Sequence, residues 1–131
     1  MTLRRPAAVA LLLALAACGG SPSTGGGAST GASGSVTATG PASAQVAEVK
    51  GDTNLTFVPA TVNAKVGTLT LTLGNIGGTP HNLTFDDASF PKIGIVGAGS
   101  TKSATLTFTK AGTYGFTCTI HAGMAGKVVV T

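Results

Sequence analysis

Cys118, His121 and Met124 lie three residues apart at the end of the stretch Gly112-Thr113-Tyr114-Gly115-Phe116-Thr117-Cys118-Thr119-Ile120-His121-Ala122-Gly123-Met124. A loop that leaves a strand and curls back can bring a thiolate, an imidazole and a thioether around one point. Upstream, Pro80-His81-Asn82-Leu83-Thr84-Phe85 supplies a second imidazole. In a strand, His81 shares its face with Leu83 and Phe85, and Cys118 shares its face with Tyr114 and Phe116, so both point inward from strand ends. Thiolate and thioether stabilise Cu(I), whereas imidazoles accept Cu(II). One copper ion is therefore expected, held by His81, Cys118, His121 and Met124. Taken singly, each residue has a plainer reading. His81 would be a structural histidine, Met124 a gap-filling core residue and Cys118 a small buried hydrophobe. Together they include the chain's two histidines and its only cysteine beyond residue 18, and packing does not explain why they share these phases.

The elements that must position these residues read as β-strands. Strand signals run over Gln45–Lys50, Leu55–Val58, Thr61–Val66, Thr68–Leu73, His81–Phe85, Lys102–Thr109, Thr113–Cys118 and Gly126–Thr131. β-Branched residues dominate them, and Gly, Asn and Pro separate them. Alternation is clean in Thr68-Leu69-Thr70-Leu71-Thr72-Leu73 and in Ala104-Thr105-Leu106-Thr107-Phe108, which gives each strand one buried and one wet face. No segment shows a helical period. The pattern predicts an all-β antiparallel sandwich or barrel over residues 44–131. Gly94-Ile95-Val96-Gly97-Ala98-Gly99 is not followed by a helical pattern, so it reads as a turn beside the site. The triplets Asn54-Leu55-Thr56 and Asn82-Leu83-Thr84 match a glycosylation signal and are read as strand residues.

Before residue 44 the chain has another character. Arg4 and Arg5 precede an uncharged apolar run from Ala7 to Ala17, too short for the ~20 residues that span a bilayer as a helix. Residues 1–17 read as an export signal. Leu15-Ala16-Ala17-Cys18-Gly19 looks like a bacterial lipobox, in which Cys18 becomes a lipidated N-terminus. Several acyl chains, at ~0.8 kcal/mol per buried methylene, would hold the protein on a membrane surface. Residues 18–43 are almost wholly Gly, Ser, Thr, Ala and Pro, and read as a lipid-anchored flexible linker with a reach of roughly 25–30 Å. Lipidation of Cys18 removes the only disulfide partner for Cys118, leaving a thiol in an oxidising compartment that needs another purpose. Beyond Cys18, six lysines face four acids, a net +2 without any cluster. That balance excludes nucleic acid as a partner, because nothing gathers cations against phosphates.

Residues 45–131 resemble the cupredoxins, small blue-copper proteins of the plastocyanin and amicyanin type. Gly112-x-Tyr114-x-Phe116-x-Cys118 is similar to the family's approach to its last ligand loop, and the short Cys-x2-His-x2-Met spacing is closer to amicyanin than to plastocyanin. Pro80-His81-Asn82 resembles the segment of the first histidine. The resemblance implies a Greek-key β-sandwich with one type 1 copper. It makes His81, Cys118 and His121 the equatorial ligands and Met124 the axial one. Asn82 would tie the two ligand loops by hydrogen bonds, and the His121 ring edge would be the electron port beside Ala122, Gly123 and Pro80. It further implies a monomeric one-electron carrier outside the cytoplasm, not an enzyme. Its donor and acceptor would be a cytochrome, an oxidase or a reductase. No acidic docking patch of the plant type is present. Two other readings stand beside this one: a copper scavenger or chaperone that does not cycle its redox state, and a metal-free structural sandwich with an inert Cys118.

Overall fold

The structure is a computed structural model and describes residues 34–131. The expected signal segment, Cys18 and most of the expected linker lie outside the described residues. Ten strands follow: β1 Ser35–Thr37, β2 Gln45–Gly51, β3 Phe57–Val58, β4 Thr61–Ala64, β5 Gly67–Asn75, β6 His81–Phe85, β7 Ile93–Val96, β8 Thr101–Phe108, β9 Gly112–Thr117 and β10 Ala125–Val130. They form a six-stranded sheet ordered β1-β4-β10-β9-β6-β7 and a four-stranded sheet ordered β3-β2-β5-β8.

The alternation in the sequence is what glues the sheets face to face. Leu69, Leu71 and Leu73 of β5 are fully buried, with Val49 of β2 and Leu106 and Phe108 of β8 on the same sheet. Val62, Leu83, Phe85, Phe116 and Val128 meet them from the other sheet. Each such side chain contributes about 1.5–3 kcal/mol by leaving water. The Phe116 ring meets Phe57 at 5.1 Å and Phe85 at 5.7 Å, both edge-on. Those contacts hold the last turn of β9 before Cys118 in place.

The sandwich is all-β as expected, but its sheets are mixed rather than purely antiparallel. β1 with β4, β10 with β4 and β2 with β5 run parallel. After β2 and β3 the chain crosses to the other sheet as β4 and then returns as β5. Strands joined by a crossover lie parallel, whereas a tight turn makes antiparallel neighbours.

Two strands escaped the sequence reading. β1 lies inside the segment assigned to the linker, so the folded part begins about ten residues before position 44. Its side chains bury little beyond Val36. The backbone does the work: Ala38 N–H donates to Asn63 O at 2.7 Å, and Thr39 and Val46 exchange two bonds of 2.9 and 2.8 Å. Thr68 N–H reaches Ala42 O at 2.8 Å. β7 occupies the first half of the glycine-rich segment expected to be a turn. Ile93 and Val96 are buried there, and the turn itself falls at residues 97–100, closed by Ser100 N–H on Gly97 O. A third correction concerns Asn54-Leu55-Thr56, which forms a turn, not a strand. Asp52 Oδ1 accepts from Asn54 N, Thr56 N and Thr56 Oγ1 there, and such a side-chain bond to the backbone competes with the ladder.

Candidate metal centre

β6 and β9 are antiparallel neighbours, with Thr84 opposite Thr117 and Phe85 opposite Phe116. The start of β6 and the end of β9 therefore lie at one end of the sandwich. His81 opens β6 and Cys118 immediately follows β9. His81, Cys118 and His121 meet there, with their potential ligand atoms all within 4.8 Å of one another. The two imidazole rings stand 5.0 Å apart at 60°, and Cys118 Sγ lies 3.7 Å from His121 Nδ1. Among the described residues Cys118 is a free thiol, and it is buried.

The loop that carries three of the residues is small and closed on itself. Cys118 N–H donates to Met124 O at 2.9 Å, and Met124 N–H reaches back to His121 O at 3.4 Å. Gly123 turns the chain with φ of +82°, a left-handed conformation that a Cβ disfavours. Met124 is buried below the loop, while His121 is half-buried and Ala122 and Gly123 are exposed. Asn82 joins this loop to β6: its Oδ1 accepts from Thr119 N–H at 2.8 Å, and its Nδ2 donates to Thr119 Oγ1 at 2.7 Å. The two segments that supply the imidazoles are thus tied one residue after His81 and one residue after Cys118.

His81 is fully buried, and neither of its ring nitrogens has a hydrogen-bond partner. Burial holds its pKa below the ordinary histidine value, and the neighbouring His121 pushes the same way; the nearby Asp52 pulls weakly in the opposite direction. The ring is therefore neutral near pH 7, with a lone pair to offer. A buried polar atom without a partner costs about 1–3 kcal/mol. Here an electron-pair acceptor between His81, Cys118 and His121 would take the lone pair of one of the two ring nitrogens and remove its share of that cost. Two imidazoles and a thiol match the donor preferences of copper, so the residues present fit such an ion.

The sequence reading missed Asn75 and Gly51. Asn75 is a buried amide at the end of β5, and Gly51, its register partner on β2, lies against the His81 ring. A polar residue that ends a clean apolar alternation was the one sequence signal for Asn75; Gly51 carried none.

A β-sandwich with a thiol and two imidazoles converging at one end defines the class of small proteins with a mononuclear soft-donor metal centre. The chain belongs to the cupredoxins: the cupredoxin-like domain family matches residues 8–130. It is 41% identical over 101 residues to the chloroplastic plastocyanin of Tetradesmus obliquus, covering 67% of this chain and 69% of that one. Among solved structures it is similar to an oxidised amicyanin variant, with 35% identity, a TM-score of 0.53, and 64% of this chain and 80% of that one covered. The Cu(I)-bound metal-binding domain of the Streptococcus pneumoniae Cu(I)-exporting P-type ATPase superposes with a TM-score of 0.63. It covers 77% of this chain and 99% of that one, and at 15% identity it shares the fold alone. Kinship with plastocyanin and amicyanin supports a non-enzymatic role.

Proposed function

We propose that this protein holds one copper ion between His81, Cys118 and His121, with Met124 as a weaker fourth ligand, and carries single electrons outside the cytoplasm. The observation that carries the proposal is the buried His81 ring, without polar partners, facing a free thiol and a second ring. Copper, when bound, supplies the one-electron Cu(II)/Cu(I) couple. The chain's own residues do the rest. Cys118 and Met124 are shielded from water by the closed loop, and Asn82 keeps the loop and β6 in register. His121 leaves one side of its ring near the surface, among the exposed Ala122, Gly123, Pro80 and Ile120. Such a small apolar rim suits brief docking to a redox partner, since weak encounters of this kind bury little area. Amicyanin variants, 32–35% identical to this chain and covered over 80% of their length, are described in a reduced Cu(I) and an oxidised form, which supports copper binding at this site.

The half-exposed His121 also supports a second reading. A ring that lets an electron in also lets an incoming thiol reach the metal, so a copper scavenger or chaperone would use the same opening. Copper titration into residues 34–131, followed by voltammetry, separates the two. A reversible one-electron wave marks the carrier. Cu(I)-only binding with rapid transfer to an apo-protein marks the chaperone. Cys118→Ser and His121→Gly are each expected to abolish the intense visible band of the copper-loaded protein, and an unchanged spectrum in either variant contradicts the ligand set.

Residues 1–33 complete the proposal with export and a lipid anchor at Cys18. Cys18→Ser is expected to shift the protein from the membrane to the soluble fraction. Equal membrane association of the variant, with no acyl mass on the wild-type N-terminus, removes the anchor. Among the described residues no helix is long and apolar enough to cross a membrane.

A further inference from the structure

His81 presents a physical problem. Its ring is fully buried and neither nitrogen has a partner at hydrogen-bond distance, with the Asp52 backbone only a weak polar neighbour, so little polar contact of its own orients it before a metal arrives. Moreover, the ladder that carries it is broken: β6 pairs with β7 through His81–Val96 and Leu83–Ile93, with a register shift between them. A bulge frees backbone groups and loosens local geometry. Something else must hold the segment.

The side chain of Asn75 does so on three sides. Its Nδ2 donates to Thr79 O at 2.7 Å and to Val96 O at 3.0 Å, and its Oδ1 accepts from Gly77 N–H at 2.8 Å. Thr79 is two residues before His81, and Val96 is its cross-strand neighbour. The Asn75 backbone also joins the turn after β7, through bonds with Ser100 O at 3.0 Å and Gly99 N–H at 2.9 Å. One buried amide thus ties the approach to His81, the strand beside it and the following turn. Directly across from Asn75 in the β2–β5 register stands Gly51. A Cβ at Gly51 would come within 2.5 Å of His81 Cδ2 and 2.7 Å of Cγ. The imidazole therefore lies against bare backbone, which fixes its plane by contact. Ile76 N–H closes the corner on Gly51 O at 2.9 Å.

We infer that the Gly51–Asn75 rung is the seat of His81, and that both are positioning residues which orient the imidazole for copper before copper binds. Asn75 fixes the chain that carries the ring, and Gly51 provides the flat surface against which the ring rests. The inference rests on the copper reading above and adds to it two residues that touch no metal. Supporting groups of this kind typically change metal affinity by about 10–100-fold when removed.

Gly51→Ala crowds the ring and removes no hydrogen-bonding group. Asn75→Asp keeps the acceptor for Gly77 N–H and loses both donated bonds. Gln45→Ala serves as a control: Gln45 is a buried amide at the far end of β2, bonded to Lys65 N and O, roughly 20 Å from Gly51 by strand rise. Each protein is titrated with Cu(II), its visible and paramagnetic resonance spectra are recorded, and the metal-free form is melted. The expected result is an altered spectrum and a copper affinity lowered about 10–100-fold in Gly51→Ala and Asn75→Asp. Gln45→Ala should melt earlier yet keep the wild-type spectrum and affinity. Wild-type spectra and affinity in both site variants, with only their melting lowered, would reduce the rung to a structural feature and overturn the inference. Should Asn75→Asp fail to fold, Gly51→Ala decides alone. If the wild-type protein takes up no copper, the copper reading falls and the inference falls with it, an outcome distinct from unchanged variants of a copper-binding wild type.

Discussion

At the residue scale the site depends on a contrast between satisfied and unsatisfied groups. Asn75, Asn82 and Gln45 each have both ends of their amides hydrogen-bonded, whereas the two nitrogens of His81 are left without partners. Interiors rarely tolerate such an orphan unless a ligand completes it. Asp52, in the turn beside the site, is a different case. Burial pushes its carboxyl up, but hydrogen bonds from Thr56 and Asn54 outweigh it and hold the pKa below the ordinary value. A carboxyl with a depressed folded pKa contributes stability above its unfolded value of about 4, and that contribution is lost as the pH falls through the folded value. Acid titration of the metal-free protein should therefore show a stability loss below pH ~4 that shrinks in Asp52→Asn. An identical acid limb in the variant would remove Asp52 from the account.

At the scale of elements, β1 is the instructive strand. Residues 35–37 are Ser-Val-Thr in a run of small residues, and composition alone cannot tell them from the tether before them. They become a strand because the edge of β4 offers a row of backbone groups to pair with. Each bond contributes about 0.5–1.5 kcal/mol net. A chain beginning at Ala44 is thus expected to be less stable than one beginning at Gly34 by about 2 kcal/mol. Urea midpoints of the two chains measure this directly, and coincident midpoints would show that β1 adds nothing. By contrast β5, β6, β8 and β9 were legible with nearly correct bounds, because β5, β6 and the second half of β8 alternate buried and wetter side chains and β9 is rich in aromatic and β-branched residues. β7 was not: its four residues hold two glycine-adjacent isoleucines and a register shift, and its pairing depends on β6 alone.

For the molecule as a whole, the centre sits where two sheets end together, so metal binding and folding are linked. An ion bound only by the folded state stabilises it by RT ln(1 + [L]/Kd), about 4 kcal/mol at a free concentration a thousandfold above Kd. Copper is expected to raise the melting temperature by several degrees, and Cys118→Ser should cancel the rise; a variant stabilised as much as wild type would point to binding elsewhere. The residue types that could hold the ion, their phases in the strands and the alternation of the core were set by the sequence alone, since strand parity is local and has a period of two. Which strands are parallel, where the first strand begins, and that Gly51 and Asn75 form one rung beneath His81 were decided only by the tertiary structure. Those relations join positions 24 or more residues apart, and pairing at that distance leaves no mark in any local pattern.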